Sequence, residues 1–195
     1  MTIFLAGHET TAVALTWTWM LLARDHRAEH KLHAELDEVV GDRLPTVDDL
    51  ERLPYMERVL HESLRLYPPA WLIGRRALVD VELGGFLVPA GSIVILSPWV
   101  TQRDARFFAE PLRFDPDRWT ADAEAARPTF TYFPFGGGIR RCIGESFALM
   151  EAKLLLATIA RRWRLRLDSD QRVDVLPRIT LRPRKGMHMH LLSRS

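Results

Sequence analysis

The chain of 195 residues contains one cysteine, and its surroundings are unusual. Cys142 stands in PFGGGIRRCIGESFALMEAKLLL, preceded by Gly136, Gly137 and Gly138 and by Arg140 and Arg141, and followed by an apolar run with helical period. A lone cysteine is most often a small buried hydrophobe. This one sits just ahead of a helix, whose free N–H groups and partial positive charge favour thiolate over thiol. The glycines allow backbone to approach a flat partner or to take positive φ. A thiolate so placed suits nucleophilic chemistry or a soft metal centre, and an axial cysteine on heme iron is one such use.

Two further stretches carry residues that could do chemistry. In LAGHETTAV the residues Ala6, Glu9, Thr10 and Val13 share one helical face, so an acid and an alcohol sit side by side next to small residues. A Thr10 hydroxyl that competes for the carbonyl of residue 6 opens a groove where water or a small ligand can lodge; the plain alternative is a core helix with a few polar residues. In HESLR, Glu62 and Arg65 lie three apart on another helix. An exposed pair of that kind is common and contributes only about 0.2–0.5 kcal/mol.

The elements that must position these residues follow from periodicity. MTIFLAGHETTAVALTWTWMLLARDH is apolar from its third residue, has no capping sequence and reads as a buried helix already under way. This predicts a chain cut inside a helix. DHRAEHKLHAELDEVVG alternates charged and apolar residues with helical period up to Gly41, and YMERVLHESLRLY does so up to Pro68 and Pro69. VELGGFLVPAGSIVILSPW reads as two strands and turns, while Trp99 to Pro134 is an irregular, ordered connection. A last long helix is predicted from Gly144 to Trp163, followed by short antiparallel strands. The pattern is mainly helical with small β-sheets.

Composition narrows the function classes. The chain is 47% hydrophobic, with 27 basic and 25 acidic residues spread along it, so no block marks a nucleic-acid or anionic-membrane surface. One cysteine excludes an intrachain disulfide, and no secretory leader precedes the first helix, which predicts a cytoplasmic setting. No apolar run has the length of a membrane span.

Taken in order, AGHETT, ESLR, PLRFDPDRW and FGGGIRRCIG resemble the signature set of the cytochrome P-450 family of heme-thiolate monooxygenases. The last segment fits the family's heme-binding pattern FxxGxRxCxG at Phe135, Gly138, Arg140, Cys142 and Gly144. The resemblance covers essentially the whole chain and corresponds to the C-terminal half of a family member, truncated within the oxygen-binding helix. It implies a single partial domain over residues 1–195 and heme b (iron protoporphyrin IX) as cofactor, with Cys142 as iron ligand. By the same resemblance Arg140 and Arg75 reach the propionates, with Arg76 an alternative to Arg75, and Glu9 and Thr10 deliver protons. Glu62, Arg65 and Arg118 form a buried structural network, and Ala6, Ala70, Leu72 and Ile179 line the substrate pocket.

Two departures stand out. Gln102 replaces the His of the family's His-Arg-Asp turn, and Trp119 replaces the usual Phe after the network arginine. The implied reaction inserts one oxygen atom from dioxygen into a small apolar substrate, lipid-like or terpenoid-like, with electrons from a ferredoxin or flavoprotein reductase. AGHETT followed by a charged helix is similar to the fatty-acid-hydroxylating branch. The competing expectations are a peroxide-driven heme-thiolate peroxygenase or isomerase, and an inactive fragment or heme-binding module.

Overall fold

A computed structural model describes residues 2–168 and 170–194, and of residues 2–6 it describes only the helical backbone. Helix α1 (Thr2–Arg24) is apolar on nearly all sides, and Val13, Trp17, Met20 and Leu21 are buried with Leu66. Trp17 stacks on Tyr67 at 4.2 Å, and its Nε1 donates to the Leu181 carbonyl at 2.8 Å, so the middle of α1 is tied to the C-terminal segment. Helix α2 (His26–Val39) starts where Asp25 accepts a hydrogen bond from the Ala28 N–H, and it ends at Gly41, whose φ of +59° closes the turn. Helix α3 (Pro54–Leu66) opens on a proline, and Glu35 of α2 accepts the N–H groups of Tyr55 and Met56.

The core forms where α2, α3 and α6 (Glu145–Ala160) meet, around Leu32, Leu36, Leu53, Met56, Leu60 and Leu156. Each such side chain contributes on the order of 1.5–3 kcal/mol by leaving water. Among the described residues, four two-stranded antiparallel sheets accompany it. Strand β1 (Ile73–Arg76) pairs with β4 (Ile93–Leu96), placing Ile73 opposite Leu96, and β2 (Val81–Leu83) forms a hairpin with β3 (Phe86–Val88) around Gly84 and Gly85. Strand β5 (Trp163–Leu167) pairs with β8 (Met189–Ser193), and β6 (Val175–Pro177) with β7 (Leu181–Pro183).

The expected class, helical with small sheets, is what the chain adopts. Three details differ. Strand β1 escapes the sequence pattern because Ile-Gly-Arg-Arg has no alternation and its partner lies far along the chain. The last helix stops at Ala160 because Trp163 already belongs to β5. The irregular connection contains α4 (Pro98–Thr101), a 3-10 turn at Pro116–Arg118 and α5 (Ala121–Ala125).

Candidate heme-thiolate site

The glycine-rich segment folds into a loop closed by its own backbone. The Cys142 N–H donates to the Phe135 carbonyl at 3.0 Å, Gly136 N–H to Phe133 at 2.9 Å, and Arg141 N–H to Gly138 at 3.0 Å. Gly138 adopts φ +65°, a conformation costly for any other residue, and a Cβ there would meet nothing within 4 Å. Gly137 is extended and needs glycine for another reason: a Cβ would lie 2.3 Å from the Phe130 ring. The ring therefore covers the loop, and Phe130 itself is held at φ +64°. Against the other side, Ile73 of β1 comes within 3.6 Å of where a Gly136 Cβ would stand.

This loop presents Cys142 to the surface just before α6, with its sulfur 3.9 Å from a Cβ built at the N-capping Gly144. The first N–H groups of α6 lack intrahelical acceptors, which supplies partial positive charge beside the sulfur. Ile139 and Ile143, on either side of the cysteine, are fully exposed apolar side chains. A cavity of about 340 Å³ lies behind the loop, bounded by His61, Tyr132, Phe135, Glu145 and Leu149. Cys142 is exposed and is not among its walls.

Arg75 is exposed two residues beyond Ile73 on β1, and Arg140 is exposed in the loop. No ion pair is seen for either among the described residues, although Arg141 beside them pairs with Glu145. An exposed thiol flanked by bare apolar side chains, with two exposed guanidinium groups on adjoining segments, Arg75 bonded to the Gly74 carbonyl and neither in such an ion pair, fits a flat apolar macrocycle bearing carboxylates. Phe135, Gly138, Arg140, Cys142 and Gly144 thus fall together in one loop.

Glu62, Arg65 and Arg118 are joined by hydrogen bonds, with Glu62 and Arg65 fully buried and Arg118 partly exposed. The Glu62 carboxylate accepts from Arg65 Nε and Nη2, both at 2.8 Å, from Arg118 Nε at 3.0 Å, from Trp119 Nε1 at 2.9 Å and from the Asp115 N–H at 2.9 Å. Arg65 spends its remaining N–H groups on the carbonyls of Gln102, Pro111 and Arg113. Every donor and acceptor of this buried pair is matched, which is the condition under which burial of charge is tolerated. The Trp119 bond was not foreseen; the sequence signal for it was the departure from Phe, since only the indole brings an N–H.

Glu9 and Thr10 are half-buried neighbours on α1. The Glu9 carboxylate is committed to β7 and the residue before it: Thr180 Oγ1 donates to it at 2.7 Å, and Arg182 pairs with it. Neither partner was singled out in the sequence, because their separation along the chain leaves no local pattern. Bonding of a hydroxyl back to the helix is seen at Thr11, whose Oγ1 donates to the Gly7 carbonyl at 3.1 Å. The side chain of Ala6 lies outside the described residues. Leu72 and Ile179 are exposed apolar side chains, and Ala70 is half-buried beside Pro69, whose carbonyl accepts the Leu181 N–H at 3.0 Å.

A cysteine loop at the head of a helix, locked to a buried carboxylate–guanidinium network, is the arrangement of heme-thiolate proteins. The family model for cytochrome P450 matches residues 1–190. Cyclooctatin synthase of Streptomyces melanosporofaciens is 49% identical over 189 residues, 97% of this chain and 39% of that protein. Pentalenene oxygenase of Streptomyces avermitilis is 37% identical over 195 residues, 100% of this chain and 43% of that protein. The crystal structure of the cytochrome P450DA heme domain superposes with a TM-score of 0.94 at 34% identity, covering 100% of this chain and 44% of that one. The chain belongs to the cytochrome P450 family, and it spans about two fifths of the length of the curated relatives it matches. Among the described residues no helix is long and apolar enough to cross a membrane.

Proposed function

We propose that these residues are the heme-binding, oxygen-activating part of a monooxygenase that hydroxylates a small apolar substrate. The observation that carries the reading is the exposed Cys142 thiol in its glycine loop. Bound heme, held through Cys142, would supply the activation of dioxygen. The chain's own residues do the rest. Arg75 and Arg140 would neutralise the propionates, and the bare faces of Ile139 and Ile143 would pack on the macrocycle. Leu72, Ala70, Ala6 and Ile179 would exclude water from the substrate's side.

Glu9 and Thr10 would move the protons. The Glu9 carboxylate, fixed by Thr180 and Arg182 where α1 meets the C-terminal strands, can take a proton from solvent, and the Thr10 hydroxyl can order the water that carries it inward. Two electrons, from a ferredoxin or a flavoprotein reductase, and two protons convert dioxygen and substrate into alcohol and water. The names of the relatives bear on the substrate: pentalenene is an alkene, and a second relative, 43% identical over 166 residues, is named cyclooctat-9-en-7-ol 5-monooxygenase, so its substrate is an alkenol. These favour a cyclic, terpenoid-like hydrocarbon over a fatty acid.

The test uses labelled dioxygen with the heme-loaded protein, reductase and a cyclic alkene. One labelled atom in the product supports the reading, and turnover with hydrogen peroxide alone would replace it by a peroxygenase. In Thr10→Ala the product formed per reduced nicotinamide consumed should fall while heme content is retained. Unchanged coupling would leave Thr10 a structural residue.

A further inference from the structure

The departure at position 102 has a structural counterpart. Gln102 is fully buried, and each of its polar atoms is used. Its Nε2 donates to the carbonyls of Leu64 at 3.1 Å and Arg65 at 3.0 Å. Its Oε1 accepts the Phe133 N–H at 2.9 Å. Its own N–H goes to Pro98, and its carbonyl accepts from Arg65. The side-chain bonds fix the amide's orientation, since only the NH₂ group can face two carbonyls and only the oxygen can face an N–H.

Both ends of this bridge matter. The last carbonyls of α3 have no helical partner and need outside donors. Ser63 receives the Tyr67 N–H, Leu64 and Arg65 receive Gln102, and Leu66 receives the Arg103 guanidinium. At the other end, the Phe133 peptide is held on both sides: its N–H by Gln102 and its carbonyl by the Gly136 N–H. Two residues further, the Phe135 carbonyl accepts the Cys142 N–H. Gln102 is thus the buried link between the end of the network helix and the strand of backbone that leads into the cysteine loop.

We infer that Gln102 is a positioning residue for the Cys142 loop, and that an amide here makes the loop's anchoring independent of pH. The inference rests on the heme-thiolate reading for its consequence at the thiol, but not for the anchoring itself. A neutral histidine has one N–H and one acceptor nitrogen, so it can serve Phe133 and only one of the two carbonyls. Once protonated it has no acceptor, and a second N–H then faces the Phe133 N–H. The charged groups around the position are Glu62 and Arg65 on α3, Arg103 and Asp104 in its own turn, and Arg118, bonded to Glu62. Glu62 is already engaged by five donors, and Arg65 lies directly on residue 102, so burial and a facing cation would lower the histidine's pKa below its ordinary value. The sign follows: the neutral, bridging form holds at high pH, and the bridge is lost only as pH falls through that lowered value, beneath the ordinary ~6.5.

The experiment compares the heme-loaded protein with Gln102→His and Gln102→Met by amide hydrogen exchange, corrected for the chemical dependence on pH. In the parent protein the protection of Phe133 and Gly136 should be flat from pH ~8 to ~4, a window that reaches below the lowered pKa of the histidine variant. In Gln102→His exchange at both amides should rise by about fivefold or more over that range, and the thiolate-type band of the reduced, carbon-monoxide-bound form should decline with it. Gln102→Met, similar in volume but without the bonds, should show raised exchange at every pH. Parent-like protection at both amides in Gln102→Met, or a flat profile in Gln102→His, overturns the inference. Absence of the thiolate-type band in the parent protein would instead count against the heme-thiolate reading, while the exchange data still decide the role of Gln102.

Discussion

Glu62 accepts five N–H donors from its own helix and from the stretch 115–119, and single-atom changes around it have defined costs. Trp119→Phe removes one donor to the buried carboxylate while keeping an aromatic ring on Tyr132. A hydrogen bond to a charged group contributes about 1.5–3 kcal/mol, so thermal unfolding of the heme-loaded variant should show a loss of that order. A loss below ~0.5 kcal/mol would mean that the other four donors suffice. At Gly137 the obstacle is the far end of an exposed ring: Gly137→Ala should push Phe130 off the loop at a cost of roughly 1–2 kcal/mol, and in a Phe130→Ala background that cost should nearly vanish. Equal costs in both backgrounds would place the need for glycine elsewhere. At this scale the cysteine loop and the Glu62, Arg65 and Arg118 cluster could be named from the sequence, because their residues are close together or belong to a recognisable set. It did not show Thr180 and Arg182 on Glu9, Phe130 on Gly137 or Phe133 on Gln102, because each contact is made by backbone geometry that only the folded chain supplies.

At the scale of elements, the helices were legible where a strong period met a clear stop, as α2 at Gly41 and α3 at Pro68 show. Strands of three to five residues carried too little pattern to place, and β1 was missed altogether. The docking of α2 against the β5–β8 sheet holds a testable feature. His33 is buried on α2, its Nδ1 has no hydrogen-bond partner, and burial, reinforced by Arg194, pushes its pKa from 6.5 to about 4. Because the folded state disfavours the charged form, stability conferred by the neutral ring is present above the unfolded value and is lost as pH falls from about 6.5 towards 4. The full effect is at most about 3 kcal/mol. Unfolding free energy followed over that interval should therefore fall less steeply in His33→Leu than in the parent; identical slopes would show that other groups govern the acid limb.

The whole molecule has a solid centre and many bare apolar side chains. Trp17, Leu32, Leu36 and Leu156 lie at or near zero exposure, whereas Ile93, Ile95, Ile139, Ile143, Phe147 and Ile179 are largely exposed. Soluble monomers rarely leave so many large apolar side chains in water, and β4 also presents an unpaired edge. Residues 1–195 expressed alone should associate or hold little heme, and size-exclusion chromatography with heme titration checks this. A monodisperse monomer with one heme per chain would show that this exposure is tolerated. The extent of this exposure could not be read from composition, which is ordinary for a globular chain; it emerges only once the core is known and the remaining apolar residues have nowhere to go.

The central claim, that Cys142 holds heme iron, is tested most directly by the absorption spectrum of the reduced, carbon-monoxide-bound protein before and after Cys142→Ala. The parent should show the Soret band of a thiolate-ligated heme and the variant should lack it, while the far-ultraviolet dichroism of both remains that of a mainly helical chain. Retention of the thiolate-type band by Cys142→Ala would contradict the account, since the chain has no other thiol.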